Sequence, residues 1–237
     1  MPAHPTPAQR PLVSVDLAIF TVLDDCLQVL LVRRPDDADE PFPGLWALPG
    51  GFVNVQRDAT LEDCALRKLR EKTGVASPYL EQLGSWGSAA RDPRGWSATH
   101  VYFALIPADQ IVLQAGGNAR DVRFMPVGAR GVDTKLAFDH ADLLAAALER
   151  LRAKVEYTSL PAYLLPEEFT LGDLQHVYEV VLARALDKSA FRTRMLAADF
   201  IVPTDAMRVG PNRPAQLYRL ANRGALAYFP RTFSPRG

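Results

Sequence analysis

The stretch GGFVNVQRDATLEDCALRKLREKTGV, residues 50–75, decides how the rest of the chain is read. Its second half predicts a helix over residues 60–73. Leu61, Cys64, Ala65, Leu66 and Leu69 recur at helical spacing, and Gly74 supplies the residue that most readily closes a helix. Lys68, Glu71 and Lys72 are spaced i, i+3 and i+4, so they share one face. Three carboxylates there would form a hard-oxygen cluster able to hold Mg²⁺ against a pyrophosphate. Two lysines and one glutamate instead make the face positive, and a protonated ammonium has no lone pair to give a cation. Lysine is, however, a good point-charge partner for phosphate. Either this face has lost a metal and kept an anionic ligand, or the lysines simply project into water from an amphipathic helix.

Upstream, VSVDLAIFTVLDDCLQVLLVRR (residues 13–34) gives two β-rich runs around Leu23, Asp24 and Asp25, a hairpin signal, and PFPGLWALPGGF is broken by Pro and Gly into a loop and a short strand. Downstream, strands are expected at 79–87, 98–106 and 122–127, then a long helix from Ala141 to Lys154. The pattern changes beyond residue 155. LLPEEFTLGDLQHVYEVVLARALD predicts a helix N-capped by Thr170, with Asp173 completing a capping box and Leu174, Val177, Tyr178, Val181 and Leu182 forming the apolar stripe. KSAFRTRMLAADF predicts a second helix after a three- or four-residue connection, and two β runs around Gly-Pro-Asn-Arg-Pro complete a winged helix-turn-helix.

Charge supports this division. The 237 residues carry 27 basic and 27 acidic side chains, but Arg184–Gly237 holds nine Arg and one Lys against three Asp, a net of +7. The first 183 residues therefore carry −7. A basic end attached to a neutral chain fits a phosphate-bearing partner, the alternative being a solvated tail. The 48% apolar content is that of a globular protein, and no apolar run approaches the roughly 20 residues that span a membrane. Cys26 and Cys64 form no metal or disulfide pattern and suit a reduced, cytoplasmic setting. Residues 1–11 read as a Pro-rich disordered lead.

With Gly51 opening it and Arg67, Leu69, Glu71, Gly74 and Val75 in place, the quoted stretch resembles the Nudix box, whose glutamates hold magnesium. Two extra residues lengthen the loop. Ala59 falls at the first glutamate position, and Lys68 and Lys72 fall at the two acidic positions that mostly carry the metal. LWALPGGFV, RDPRGW, LAFDH and LLPEEFTLGDLQHVYEVVL follow in an order that extends the resemblance over nearly the whole chain, to Nudix-related transcriptional regulators of bacterial NAD metabolism. The resemblance implies an α+β protein: a Nudix-like mixed β-sheet sandwiched by helices over residues 12–155, then a winged helix-turn-helix over 156–237. It implies a repressor of NAD biosynthesis or salvage genes that binds a pseudo-palindromic site in double-stranded DNA as a homodimer. Its effector would be ADP-ribose, NAD or a related nucleotide, with no cofactor, metal or catalytic residue. The competing reading is an active ADP-ribose pyrophosphatase with an accessory domain, drawing carboxylates from Glu62, Asp63, Glu71 and Asp92. A third is a protein adaptor using the C-terminal arginines.

The expected ligand site comprises Arg34, Lys68, Glu71, Lys72, Arg91, Arg94, Phe138 and His140. Arg91 and Arg94, in RDPRGW, are placed to clamp phosphate bidentately. Trp96 or Phe138 either stacks on adenine or belongs to the core, and His140 either bonds a ribose or is structural. In the second helix of the helix-turn-helix, Phe191 and Met195 face the core, and Lys188, Ser189, Arg192 and Thr193 occupy the turns that enter a major groove, with Ser189, Arg192 and Thr193 as base readers. Arg194, with Arg208 and Arg213 on the wing, is assigned to the backbone phosphates, and Asn212 beside Arg213 is a further DNA-binding candidate.

Overall fold

The computed structural model describes residues 10–76, 79–114, 120–209 and 214–229. Most of the Pro-rich lead, residues 1–9, lies outside these, as does the tip of the wing.

Strands β1 (Leu12–Leu23) and β2 (Cys26–Arg33) form the hairpin, with Asp24 and Asp25 at φ 50° and 57° in its two-residue turn. Asp tolerates this left-handed conformation better than most residues, and it gives the twist a tight hairpin needs. The short strands β3 (Trp46–Ala47) and β4 (Gly50–Phe52) follow, then helix α1 (Leu61–Thr73), β5 (Tyr79–Ser88), β6 (Ser97–Leu105), β7 (Asp121–Pro126) and helix α2 (His140–Val155). The strands make one mixed sheet in the order β3-β2-β1-β6-β5, with β4 paired to β1 and β7 to β2; β1 and β6 run parallel.

β1 is covered on both faces, which is why its sequence reads as a near-continuous apolar run rather than an alternating one. Val15, Leu17 and Ile19 pack with Cys64, Ala65 and Leu69 of α1. Ala18 and Phe20 point the other way, into the cluster that holds Leu143, Leu144, Ala147, Leu148 and Leu151 of α2. Each buried Leu or Phe of these layers contributes roughly 1.5–3 kcal/mol by leaving water.

The second unit contains strand β8 (Phe169–Thr170), helices α3 (Leu171–Leu182) and α4 (Lys188–Ala197), and the wing strands β9 (Ile201–Arg208) and β10 (Ala215–Leu220). Thr170 and Asp173 form the expected capping box. Two features were not legible in sequence. β8 is a third strand of the wing sheet, ordered β8-β10-β9, and a 3₁₀ turn runs from Leu160 to Leu164. The connection between α3 and α4 spans residues 183–187, longer than the expected three or four, because Ala183 caps α3 in a left-handed conformation and Asp187 is already the N-cap of α4.

The core does not stop at residue 155. The cluster built on α2 continues through Leu160, Tyr163 and Leu164 into Leu174, Tyr178, Phe191, Met195 and Leu220. Tyr178 donates its hydroxyl to Thr158 O at 2.7 Å, and its ring meets Phe191 edge-on at 5.2 Å. At the hairpin tip, Asp25 lies 3.0 Å from His176 on α3. The two units are packed on one another rather than strung on a linker.

Candidate functional site

Helix α1 is fixed at its start and along its side. Thr60 and Asp63 form a capping box, which satisfies backbone donors that a helix start leaves open. Arg67 then grips Asp58 with two parallel bonds, Nε to Oδ1 at 2.7 Å and Nη2 to Oδ2 at 2.6 Å, and also reaches Glu71 at 3.1 Å. Asp58 accepts the Asn54 amide as well, so the 54–58 loop is pinned to the helix. The bonds from Arg67 hold the Asp58 carboxyl well below the usual carboxylate range. Burial pushes the Cys64 thiol up to about 11, which leaves it an inert core group rather than a nucleophile.

The helix thereby presents Lys68, Glu71 and Lys72 to a cleft of about 400 Å³ between α1, the sheet and the start of α2. Lys68 lies beside Glu71, Nζ to Oε2 at 3.6 Å. It also lies over Gly51, whose φ is 151°, and a Cβ there would come within 3.0 Å of Lys68 Nζ. Burial lowers the Lys72 pKa, and repulsion from Lys68 adds to it while Glu71 opposes. Two ammonium groups on one half-buried face form a place where an arriving anion is stabilised.

At the mouth, Arg94 is bonded to Asp92 through Nε at 3.0 Å and Nη2 at 2.8 Å, with its guanidinium 5.0 Å from the Phe52 ring and 6.0 Å from Phe138. Arg34 reaches Glu40 and Pro41 O at 2.7 Å and lies 4.9 Å over Phe138 from its own side. Phe138, at φ 54°, also packs on Phe42 at 4.7 Å. Of the two aromatic candidates, Phe138 lines the cleft, whereas Trp96 does not and packs beside Gly87 with its ring half exposed.

Two residues of the expected ligand site line the cleft but are bonded within the fold. Arg91 is 8% exposed, holds Asp139 bidentately at 2.9 Å through Nε and Nη2, and lies 3.5 Å from Asp16. These bonds brace the floor of the cleft, which Arg91 also lines. His140 is 4% exposed and its Nδ1 accepts the Leu48 amide at 2.9 Å. Burial lowers its pKa below the ordinary 6.5, so the ring is neutral at pH 7 and its proton sits on Nε2, 3.7 Å from Asp16. Sequence reading missed Asp16, Phe52 and Glu40 at the cleft. Asp16 had a signal, as the one charge in the middle of VSVDLAIF.

On the other unit, Phe191 and Met195 are buried and Lys188, Ser189, Arg192 and Thr193 are exposed together on α4, as expected. Arg194 turns inward, donating Nη2 to Glu156 O at 3.0 Å with its guanidinium 4.7 Å from the Phe229 ring, and so ties α4 to the junction. Arg208 is half exposed but bonded to Asp173 at the start of α3 at 2.7 Å, which sets the wing against the helix pair. Asn212 and Arg213 lie outside the described residues.

A mixed sheet with a pinned loop-helix at its cleft, packed on a winged helix whose second helix is exposed and basic, defines a class: a ligand-binding domain joined to a DNA-reading one. Residues 14–147 match the model of the NUDIX domain, and residues 161–220 match that of the NrtR DNA-binding winged helix domain. The chain is 47% identical over 223 residues to the ADPR responsive transcriptional repressor NtrR of Acinetobacter baylyi, covering 93% of this chain and 86% of the relative. The crystal structure of Shewanella oneidensis NrtR complexed with a 27mer DNA superposes with a TM-score of 0.79 at 42% identity, covering 88% of this chain and 93% of that one. The NUDIX domain of the same protein complexed with ADP ribose matches with a TM-score of 0.55 at 44% identity, over 63% of this chain and 94% of that one. The chain belongs to the NrtR family of Nudix-domain regulators.

Proposed function

We propose that this protein is a transcriptional repressor of NAD-metabolism genes that senses ADP-ribose in the cleft of its Nudix domain and binds double-stranded operator DNA through its winged helix. The observation that carries this reading is the pair Lys68 and Lys72 on a cleft-facing helix whose fold is otherwise that of a Nudix box. The donor set at that face is one carboxylate, Glu71, itself bonded to Arg67 and beside Lys68, and it does not fit a hard cation. Asp63, one of the carboxylates the hydrolase reading needs, is used in the helix cap. The lysines fit a pyrophosphate, and the aromatic ring of Phe138 at the cleft, near the guanidinium groups of Arg34 and Arg94, fits a nucleobase. We divide the chain into an effector domain over residues 12–155 and a DNA-binding domain over 156–237, coupled through the shared core at the junction.

The test has two arms. ADP-ribose hydrolysis with Mg²⁺ or Mn²⁺ is expected at background; robust divalent-dependent turnover, lost on Glu71→Ala, would overturn the reading in favour of a hydrolase. ADP-ribose is expected to weaken operator binding, and operator DNA to weaken ADP-ribose binding by the same factor, since linkage between two sites is reciprocal. Equal ligand affinity with and without operator would remove the coupling.

A homodimer on a pseudo-palindromic site follows from the limited reach of a single recognition helix, and light scattering with a stoichiometric shift assay checks it. Arg192→Ala should cost about 1–3 kcal/mol on the preferred site and much less on random DNA, because an arginine that pairs bidentately with guanine carries sequence information and a phosphate contact does not. A loss that is equal on both DNAs would move Arg192 to the backbone-contacting set.

A further inference from the structure

The floor of the cleft holds a buried carboxylate that the reading above leaves without a role. Asp16 lies in the middle of β1, is 6% exposed, and still lines the cleft. Its two oxygens are treated differently. Oδ2 accepts the Thr99 hydroxyl at 2.7 Å and lies 3.5 Å from Arg91 Nη2 and 3.7 Å from His140 Nε2. Oδ1 takes no hydrogen bond among the described residues. It rests against Gly50, where a Cβ would sit only 2.1 Å away, so the glycine is what gives it room.

Oδ1 is not sealed from solvent and faces the cleft, so it is an acceptor open to whatever the cleft holds. A metal ion is a poor candidate, because among the described residues no group of three His, Cys, Asp or Glu side chains could hold one. Neutral hydroxyl donors fit better, and a carboxylate accepting from a sugar hydroxyl is a general way to recognise ribose. Position selects which sugar. Gly50 backs Asp16, Gly51 backs Lys68, and the aromatic group of Phe138 and Phe52 lies at the mouth beside Arg94. A ligand with its base at the mouth and its diphosphate on the lysines sends its far sugar to the floor.

We infer that Asp16 Oδ1 is the specificity determinant for the terminal ribose, accepting a hydrogen bond from its hydroxyls, so that the cleft selects a sugar-terminated nucleoside diphosphate over the nucleoside diphosphate alone. This rests on the proposed reading that the cleft binds ADP-ribose. The Thr99, Arg91 and His140 contacts to Oδ2 are the brace that fixes the carboxylate with Oδ1 toward the cleft.

Isothermal titration of ADP-ribose and ADP into the full-length protein and its Asp16→Asn variant tests it. The unsubstituted protein should prefer ADP-ribose. The variant should lose on the order of 10- to 100-fold in ADP-ribose affinity, the scale of one charge-assisted hydrogen bond, with ADP affinity kept within about twofold. A parallel titration of the unsubstituted protein with an ADP-ribose analogue lacking the terminal 2-hydroxyl should show a loss in the same direction, and it needs no folded variant. Equal loss for ADP and ADP-ribose, no loss for either, or an analogue that binds as well as ADP-ribose would overturn the inference alone. Failure of the unsubstituted protein to bind ADP-ribose at all would overturn the functional reading beneath it.

Discussion

Replacing Asp58 by alanine is expected to destabilise the protein by about 3 kcal/mol, among the largest effects a single polar substitution can have here. The Asp58 side chain is 1% exposed and accepts three hydrogen bonds, two from Arg67 and one from the Asn54 amide. Its removal leaves the guanidinium without its main partner and the amide without an acceptor. The figure sits at the low end for a broken buried pair because Arg67 keeps 20% of its side chain in water and retains Glu71. For a domain of this size, thermal unfolding should shift by roughly 6–12 °C. The sign of the pH dependence is fixed by the direction of the Asp58 shift. A carboxyl held below its unfolded value of about 3.9 contributes fully above that pH and loses its contribution as pH falls beneath it. The gap between the variant and the parent should therefore be constant from pH 5 to 8 and narrow below about pH 4. A gap that is already absent at pH 7 would show that the 54–58 loop does not depend on this pair.

Restoring carboxylates to the cleft face should have the largest effect on ligand binding. Lys68→Glu combined with Lys72→Glu is expected to weaken ADP-ribose binding by on the order of 10³-fold, from loss of two charge-assisted contacts at about 2 kcal/mol each. The helix should survive, because neither lysine belongs to the buried face of Cys64, Ala65 and Leu69, and the capping box and the Asp58–Arg67 pair are untouched. Added Mg²⁺ offers a discriminating control. With Glu71 the variant presents three carboxylates at i, i+3 and i+4, and divalent cation should recover part of the lost affinity in the variant while doing nothing for the parent. ADP-ribose affinity that is unchanged without metal would place both lysines in solvent, the plain alternative for an amphipathic helix, and would move the anion site elsewhere in the cleft.

Most of the architecture was legible from local pattern, for identifiable reasons. The apolar spacing of α1 and the closing Gly74 determine that helix and its limits, and the capping box at Thr170 determines where α3 begins. The double-sided burial of β1 follows from its near-continuous apolar run. On α4, the apolar pair Phe191 and Met195, one helical turn apart, predicts that Lys188, Ser189 and Arg192 face out, so their exposure was legible in the sequence. The chemistry of the lysine face was equally local, since three residues at i, i+3 and i+4 on a helix must be neighbours.

What only the tertiary structure decided is which charges are spent inside the fold. Arg91, Arg94 and Arg194 are indistinguishable as sequence, because an arginine's role depends on which carboxylates and carbonyls the topology brings to its five donors. The parallel pairing of β1 with β6 places Asp16 beside Thr99, and the start of α2 brings Asp139 and His140 from more than 100 residues away to the same floor. That convergence consumes Arg91 and His140 and leaves Arg94 at the mouth, held on one side by Asp92. The bond from Phe229 N–H to Tyr157 O at 2.9 Å likewise holds the Phe229 ring where it meets the Arg194 guanidinium. Sequence periodicity reports how each element faces its nearest layer, while a buried ionic network is a property of contacts between distant segments, and no local pattern encodes its membership.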